Sequence, residues 1–425
     1  MPSAAHEIIR SAISAAIRDP RFEPVTRDEL PRLVIHVQLL DQPEPVAGPA
    51  DLDPAHYGLI VRCEDRQALL LPGLDGIDTA EQQIAATCLK AGRSPRAAGA
   101  LPFPRPRHPV RAGLSLLVNP EQGEHSAPGH PEGPERVAAI LRAIAQAGEL
   151  GLEPEPAPAA PEDLILQVHD RRYVAALDRA AAAGGGYLDQ DTYITKGSML
   201  AARTAAGATV EGVGRVLSGK VGHAFAIVRP CGHHAERALA MGFCLINNVA
   251  IGVFAARTQG VRRIAIIDFD VHHGNGTQST FYQDPDVLYC STHQYGPWRD
   301  RLFFPGTGGA SERGAGAGLD STLNIPLRPG TADEAFLNAY ETQVGPAVEQ
   351  FKPELLLISA GFDAHGGDPL AGLEVSTEGY RRLARIIKDW VDRFCPGRSV
   401  WTLEGGYNLD AMGHSVVACL RTLLE

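Results

Sequence analysis

Ile264-Ala-Ile-Ile-Asp268-Phe-Asp270-Val-His272-His-Gly-Asn275-Gly is an apolar run that passes directly into acids, histidines and glycines. A short unbroken apolar run of this kind reads as a strand buried on both faces. Four other runs share the pattern, at residues 224–228, 287–290, 355–359 and 400–403, with Ala-rich helical stretches between them. Buried runs alternating with helices predict an α/β domain built on a central, mostly parallel sheet flanked by helices. In open sheets of that class, ligands gather beyond the carboxyl ends of the strands. The residues there are the most polar in the chain: Arg229-Pro-Cys-Gly-His-His, Asp268 to Gly276, Ser291-Thr-His, Ala360-Gly-Phe-Asp-Ala-His-Gly-Gly-Asp-Pro and Glu404-Gly-Gly-Tyr-Asn. Five such clusters on one predicted edge point to one site.

The chain before this region follows another pattern. Ile8, Ile9, Ala12, Ile13, Ala16 and Ile17 recur at helical spacing up to Asp19-Pro20, and Leu33, Ile35, Val37 and Leu39 alternate as in a half-buried strand. Apolar segments at 57–62 and 68–72 flank Glu64-Asp-Arg66 and predict a hairpin, with a helix over residues 80–91 after it. A Pro- and Arg-rich stretch follows, of the composition linkers have. The expected organisation is a small α+β domain at 1–95, a linker at 96–111 and the site-bearing domain at 112–425.

Bulk properties narrow the function. The 425 residues are 44% apolar and carry a net charge of −11. That balance disfavours a broad nucleic-acid or anionic-membrane surface, which needs excess Lys and Arg. No apolar run approaches membrane-spanning length, and the N-terminus has charges within its apolar pattern, unlike a secretory leader. Seven scattered cysteines with no C-x-x-C pair fit free thiols in a reducing compartment. The reading is a cytoplasmic protein without nucleic-acid or membrane partners; its oligomeric state is open.

In extended backbone, residues two apart point the same way, so Asp270 and His272 can reach one ion, with Asp268 one step behind them. A carboxylate and an imidazole suit zinc or a similar divalent cation. Asp363, ending another strand, is the candidate third ligand. A lone Asp-x-His more often caps a helix and packs; four companion clusters reverse that balance. The pair His233-His234 is assigned proton transfer, since three metal ligands come from elsewhere. Asp268 can orient one ring and Asn275 the other, and only the acid strongly favours an imidazolium. Tyr407, after two glycines that permit a sharp turn, can present a phenol to a developing oxyanion. Phe243 and Phe304 would form a narrow apolar slot for a methylene chain, although packing is the commoner fate of Phe.

Taken together, Gly129-His-Pro-Glu-Gly-Pro-Glu-Arg136, the Arg229 to His234 cluster, Gly242-Phe-Cys-Leu-Ile-Asn-Asn, Asp268 to Gly276, Phe304-Pro-Gly-Thr-Gly, Gly361-Phe-Asp with its Gly-Asp-Pro, and Glu404-Gly-Gly-Tyr resemble the histone deacetylase family. They look closest to its class II and bacterial acetylpolyamine amidohydrolase branches, from about residue 112 to the end. The resemblance implies the arginase-deacetylase fold, with a sheet of about eight strands, and one Zn2+ on Asp270, His272 and Asp363, with Fe2+ as a substitute. It implies that Tyr407 and the ion polarise an acyl carbonyl, that His234 is the general base and then the acid, and that His233 with Asp268 stabilises charge. Phe243 and Phe304 would line the tunnel, Gly242 would accept from the substrate amide, Leu370 would be the gatekeeper and Asp191 a rim residue holding substrate backbone. A structural K+ is implied near Asp268, Asp270, His272, Ser291 and Thr292.

The resulting expectation is a zinc-dependent deacylase acting on acyl-lysine in proteins or peptides. The alternative is an acetylpolyamine or other small-amide hydrolase; a catalytically silent acyl-binding scaffold and a dinuclear manganese ureohydrolase are weaker readings. Leu370 favours acyl-lysine, because an apolar gatekeeper offers no anchor to a distal ammonium. Cys231 stands where the motif usually carries Pro or Gly, which places a thiol beside the histidines, where a shifted pKa would make it redox-sensitive. At the N-terminus, Ile13 to Phe22, Glu29-Leu-Pro-Arg-Leu, Gly58-Leu-Ile-Val-Arg and Leu69-Leu-Leu-Pro resemble the AMMECR-like family, though nothing here matches that family's Leu-Arg-Gly-Cys-Ile-Gly segment. This second resemblance supplies a fold and no activity.

Overall fold

A computed structural model describes residues 113–425 and, before them, three strands and a few positions between residues 79 and 87. The chain divides into two units, Met1–Arg107 and His108–Glu425. In the first, β1 (Leu59–Cys63) and β2 (Arg66–Leu70) pair antiparallel with Cys63 opposite Arg66, the strand pairing that the expected hairpin requires. Ala80, Gln82, Gln83 and Thr87 are helical, as the pattern over 80–91 predicts. The expected helix at 8–17 and strand at 33–39 lie outside the described residues. One expectation is corrected. The stretch read as linker, 96–111, contains β3 (Gly99–Pro102), which pairs antiparallel with the other edge of β1. The Pro-rich composition concealed it, but Pro102 ends the strand, where a missing N–H costs little of the ladder.

The second unit is built on eight strands: β4 (Leu114–Val118), β5 (Pro154–Pro156), β8 (His223–Ile227), β9 (Ile264–Asp268), β10 (Val287–Gln294), β13 (Thr322–Leu327), β14 (Leu355–Ala360) and β15 (Ser399–Leu403). Their order is β13-β10-β9-β14-β15-β8-β4-β5, and every neighbouring pair is parallel. The five apolar runs are β8, β9, β10, β14 and β15; β4, β5 and β13 were not foreseen. Alternate side chains enter two cores. Ile264, Ile266, Leu355, Leu357 and Val400 pack with the helices Ser198–Leu217 and Asn248–Thr258. Ala265, Ile267, Leu356, Ile358 and Trp401 pack with Glu135–Gln146, Thr377–Phe394 and Leu409–Leu424. Burial on both faces explains why these strands read as unbroken apolar runs. Each fully buried Ile or Leu contributes roughly 1.5–3 kcal/mol.

Side-chain caps start three of these helices. Asn247 accepts from the Ala250 amide at 2.9 Å, Ser376 from Gly379 at 3.0 Å and Asn408 from Ala411 at 3.1 Å. Asn408 matters for the site, because its cap fixes where the last helix begins, two residues after Tyr407. Two short hairpins lie outside the main sheet: β6 (Gly186–Tyr187) with β7 (Tyr193–Ile194), and β11 (Pro297–Trp298) with β12 (Arg301–Leu302). No helix among the described residues is long and apolar enough to cross a membrane.

Candidate active site

Beyond the carboxyl ends of β9 and β14, Asp270, His272 and Asp363 present ligand atoms within 4.8 Å of one another. The Nδ1 of His272 lies 3.3 Å from an Asp270 oxygen and 3.1 Å from Asp363. Backbone donors hold the carboxylates in place: Gly405 N to Asp270 Oδ2 at 2.7 Å, His272 N to Asp270 Oδ1 at 2.9 Å, and Val271 N to Asp363 Oδ1 at 2.8 Å. The His272 ring stacks on Phe303 with centroids 4.9 Å apart. Burial, then the Asp270 carboxylate, pushes Asp363 up to about 7. His272 is pushed up to about 10: burial opposes its charge, but Asp270 and Asp363 prevail. Two acids this close in a dry site call for a cation between them, and two oxygens with one imidazole nitrogen suit a divalent ion.

The two histidines separate as their expected partners differ. His233 Nδ1 lies 3.1 Å from Asp268 Oδ2, and His234 Nδ1 2.8 Å from Asn275 Oδ1. Burial works against a charge on His233, but Asp270, Asp268 and Glu404 outweigh it and hold its pKa well above the usual value. Burial, joined by His233 and His272, holds His234 well below. Asp268 is itself fixed by the Tyr289 hydroxyl at 2.9 Å.

Tyr407 sits on the turn after β15, and residues not assigned roles from the sequence shape that turn. Asp368 Oδ2 accepts from the Tyr407 and Asn408 amides at 2.7 and 3.3 Å, and its Oδ1 from Leu370 N at 2.9 Å. Arg136 donates to Gly406 O at 2.7 Å and to the Glu404 carbonyl, and its guanidinium lies 5.0 Å from the Tyr407 ring centroid. Glu404 accepts from Gly232 N at 2.7 Å and His233 N at 3.2 Å, so it braces the dyad turn. Glu132, fully buried, binds Arg229 at 2.7 Å and Arg136 at 3.2 Å. Glu132, Arg136, Arg229, Asp368 and Glu404 all stand inside the quoted motifs; their spacing alone does not show that they meet. Burial, then Cys231, holds the Tyr407 phenol well above its usual pKa, so it stays a donor.

Asp270, His272, His233, His234 and Tyr407 open onto a cavity of about 580 Å³, lined also by Gly242, Phe243, Phe304, Leu370, Asp191 and Cys231. All five expected substrate-binding residues are therefore at the site. Phe243 packs edge-on against His130 at 4.7 Å and Phe304 against His234 at 5.0 Å. Gly242 has φ 55°, and a Cβ there would collide with the His234 ring. Cys231 Sγ lies 3.4 Å from Cys244 Sγ. Ser291 pairs in register with Asp268, so of the expected K+ residues Asp268 and the Ser291–Thr292 pair lie on neighbouring strands, with Asp270 and His272 just beyond the end of β9. The Ser291 hydroxyl meets His293 Nδ1 at 2.8 Å and Thr292 meets the Tyr340 hydroxyl.

An α/β sheet with an acid–imidazole–acid cluster and a paired-histidine dyad beyond its strand ends defines a class of hydrolases. The histone deacetylase domain profile matches residues 130–423, and the chain belongs to the histone deacetylase family. The rice protein "Histone deacetylase 10, chloroplastic" is 40% identical over 332 residues, covering 74% of this chain and 73% of its own. The "Histone deacetylase-like amidohydrolase" of Pseudomonas aeruginosa is 40% identical over 299 residues, covering 69% and 77%. The crystal structure of the HDA15 HD domain superposes with a TM-score of 0.69 at 37% identity, covering 74% of this chain and 88% of that one. The fold is thus the arginase-deacetylase fold. The AMMECR1 profile matches residues 2–101.

Proposed function

We propose that residues 113–425 form a Zn2+-dependent deacylase that hydrolyses the amide of acyl-lysine, acetyl-lysine or a close relative, in proteins or peptides. The observation that carries this reading is the unequal partnering of the two histidines beside one acid–imidazole–acid cluster. Asp270, His272 and Asp363 would hold the ion, and Fe2+ fits the same donors. When bound, the ion supplies Lewis acidity to the scissile carbonyl and to the attacking water.

The chain's own residues supply the rest. His234, held neutral, takes a proton from the water at Nε2 and passes it to the leaving amine. His233, charged and anchored by Asp268, faces the developing negative charge. The Tyr407 hydroxyl donates to the oxyanion. Phe243 and Phe304 admit a slim methylene chain and exclude water. Gly242 leaves room that a side chain would take from His234. Leu370 at the mouth offers no acid to a distal ammonium, which favours acyl-lysine over an acetylated polyamine. Asp268, Asp270, His272, Ser291 and Thr292 are the proposed surroundings of a structural K+. The five described cysteines are all free thiols, which supports a cytoplasmic setting. A dinuclear manganese site finds no support: the other candidate cluster among the described residues is Cys231, Cys244 and Glu404, whose thiols suit softer ions.

The test is turnover of acetyl-, propionyl- and longer acyl-lysine peptides beside acetylated polyamines, by wild type and Tyr407→Phe, with metal analysis of the purified protein. Wild type should favour a peptide and carry one divalent ion per chain. Tyr407→Phe should lower kcat about 100- to 1000-fold with little change in KM. Equal turnover by the two proteins would remove the role given to the phenol.

A further inference from the structure

The cavity mouth carries a basic hairpin that the chemistry above does not use. In it Trp298 pairs with Arg301, and only Arg299 and Asp300 connect the strands. Their φ angles are 48° and 67°. Turns of this shape usually hold Asn and Gly, and ordinary side chains in left-handed backbone persist where the surroundings impose the shape. Here Trp298 anchors the hairpin. Its indole lies against the Gly372 backbone so closely that any Cβ at Gly372 would collide with it. Gly372 N in turn donates to Gln294 Oε1 at 2.8 Å, tying the seat to the end of β10. The hairpin is thereby fixed to the strand that borders the metal-binding edge.

Arg299 and Arg301 both line the cavity, while Asp300 between them does not. Both arginines are exposed. The Arg299 guanidinium lies 5.2 Å from the Trp298 ring centroid, which limits its freedom. Elsewhere on the surface, Arg203, Arg257 and Arg421 each meet a carboxylate within 3 Å. Arg299 and Arg301 have no carboxylate partner among the described residues. Of the acids at the mouth, Asp189 is engaged by the Asp191 and Thr192 amides and the Thr192 hydroxyl. Two unpaired guanidinium groups therefore face whatever enters.

We infer that Arg299 and Arg301 form a subsite for carboxylate side chains that flank the acyl-lysine of a peptide substrate. The inference rests on the deacylase reading and names the substrate class within it. Tyr407 and the metal ligands lie at the buried end of the cavity, so the acyl group goes there and the arginines meet the residues beside the lysine. Guanidinium binds carboxylate through two parallel hydrogen bonds, and Asp191 remains for the backbone N–H groups of the same peptide. A polyamine would instead bring ammonium toward guanidinium. Exposed charge pairs are modest and screened by salt, so the subsite tunes selection without being required for turnover.

The test uses the full chain and three acetyl-lysine peptides that differ only in flanking Asp, Gln or Lys. Wild type should favour the Asp peptide over the Lys peptide by about five- to twentyfold in kcat/KM, chiefly through KM, with the gap shrinking at about 0.5 M salt. The R299Q/R301Q protein should treat the peptides alike, and R299E/R301E should reverse the order while keeping kcat on the Gln peptide. Turnover of all three peptides without preference, or a preference unchanged in R299Q/R301Q, overturns the subsite and leaves the deacylase reading intact. Turnover of acetylated polyamines with no peptide turnover overturns both.

Discussion

One charge separates Asp268 from Asn275, and it divides the labour between adjacent histidines. An imidazole against a buried carboxylate keeps its proton; an imidazole against an amide, crowded by a charged neighbour, gives it up. Asn275→Asp tests this. A carboxylate on His234 Nδ1 would raise that pKa, so the base would be protonated at pH values where wild type has it free. The acid limb of the kcat profile should move up by one pH unit or more, with activity at pH 7 depressed and partly restored at higher pH. A lower activity with an unmoved limb would mean that Asn275 acts only by position. Cys231 supplies a second residue-level test. Its thiol and that of Cys244, 3.4 Å apart, need one peroxide to become one disulfide, with two waters released. Mild peroxide should lower activity, dithiothreitol should restore it, and Cys231→Ala should be insensitive to the same treatment. Unchanged wild-type activity would show that the buried pair is inert.

At the scale of elements, what could be read from sequence was what periodicity and strand-end chemistry encode. Five doubly buried strands announce themselves as apolar runs, and the polar residues after them had to lie on one edge. Asp270, His272, Asp363, the dyad and Tyr407 were legible for that reason. β4 and β13 were not singled out, and β3 was hidden in a Pro-rich stretch. Asp368 and Glu404 were visible as motif letters only. Their roles depend on loops from different strands meeting, which no local pattern records. Asp368 is the clearest case: one carboxylate gathers the Leu370, Tyr407 and Asn408 amides, joining the Leu370 loop to the phenol. Asp368→Asn replaces an acceptor oxygen with an NH2 that must face an N–H donor. The turn should loosen, and kcat should fall about 10- to 100-fold with KM nearly constant, because the phenol acts on the transition state. A double variant that loses no more than Tyr407→Phe alone would place both residues on one path. Fully additive losses would separate them.

For the whole molecule, the same burial that tunes the site makes the fold sensitive to acid. His169 and His223 lie apart from the cavity, and burial lowers each from 6.5 to about 4. His169 Nε2 accepts from Asn247 N at 2.9 Å, so a proton there would displace the amide at the start of helix Asn248–Thr258. His223 Nδ1 meets the Ser399 hydroxyl at 2.8 Å, between β8 and β15. The folded pKa is below the unfolded one, so between about pH 6.5 and 4 the unfolded chain binds protons that the folded chain refuses. Their contribution is fully present above about pH 6.5 and is lost as pH falls toward 4. From pH 7 to 5, each histidine should remove roughly 2 kcal/mol of unfolding free energy. Urea denaturation of residues 108–425 at the two pH values measures the loss. His223→Gln, which keeps a polar group near Ser399 and cannot titrate, should reduce the pH-dependent loss by about that amount even if it lowers stability at pH 7. An equal drop in wild type and variant would show that His223 titrates alike in the folded and unfolded chains, and that burial between β8 and β15 does not exclude its proton.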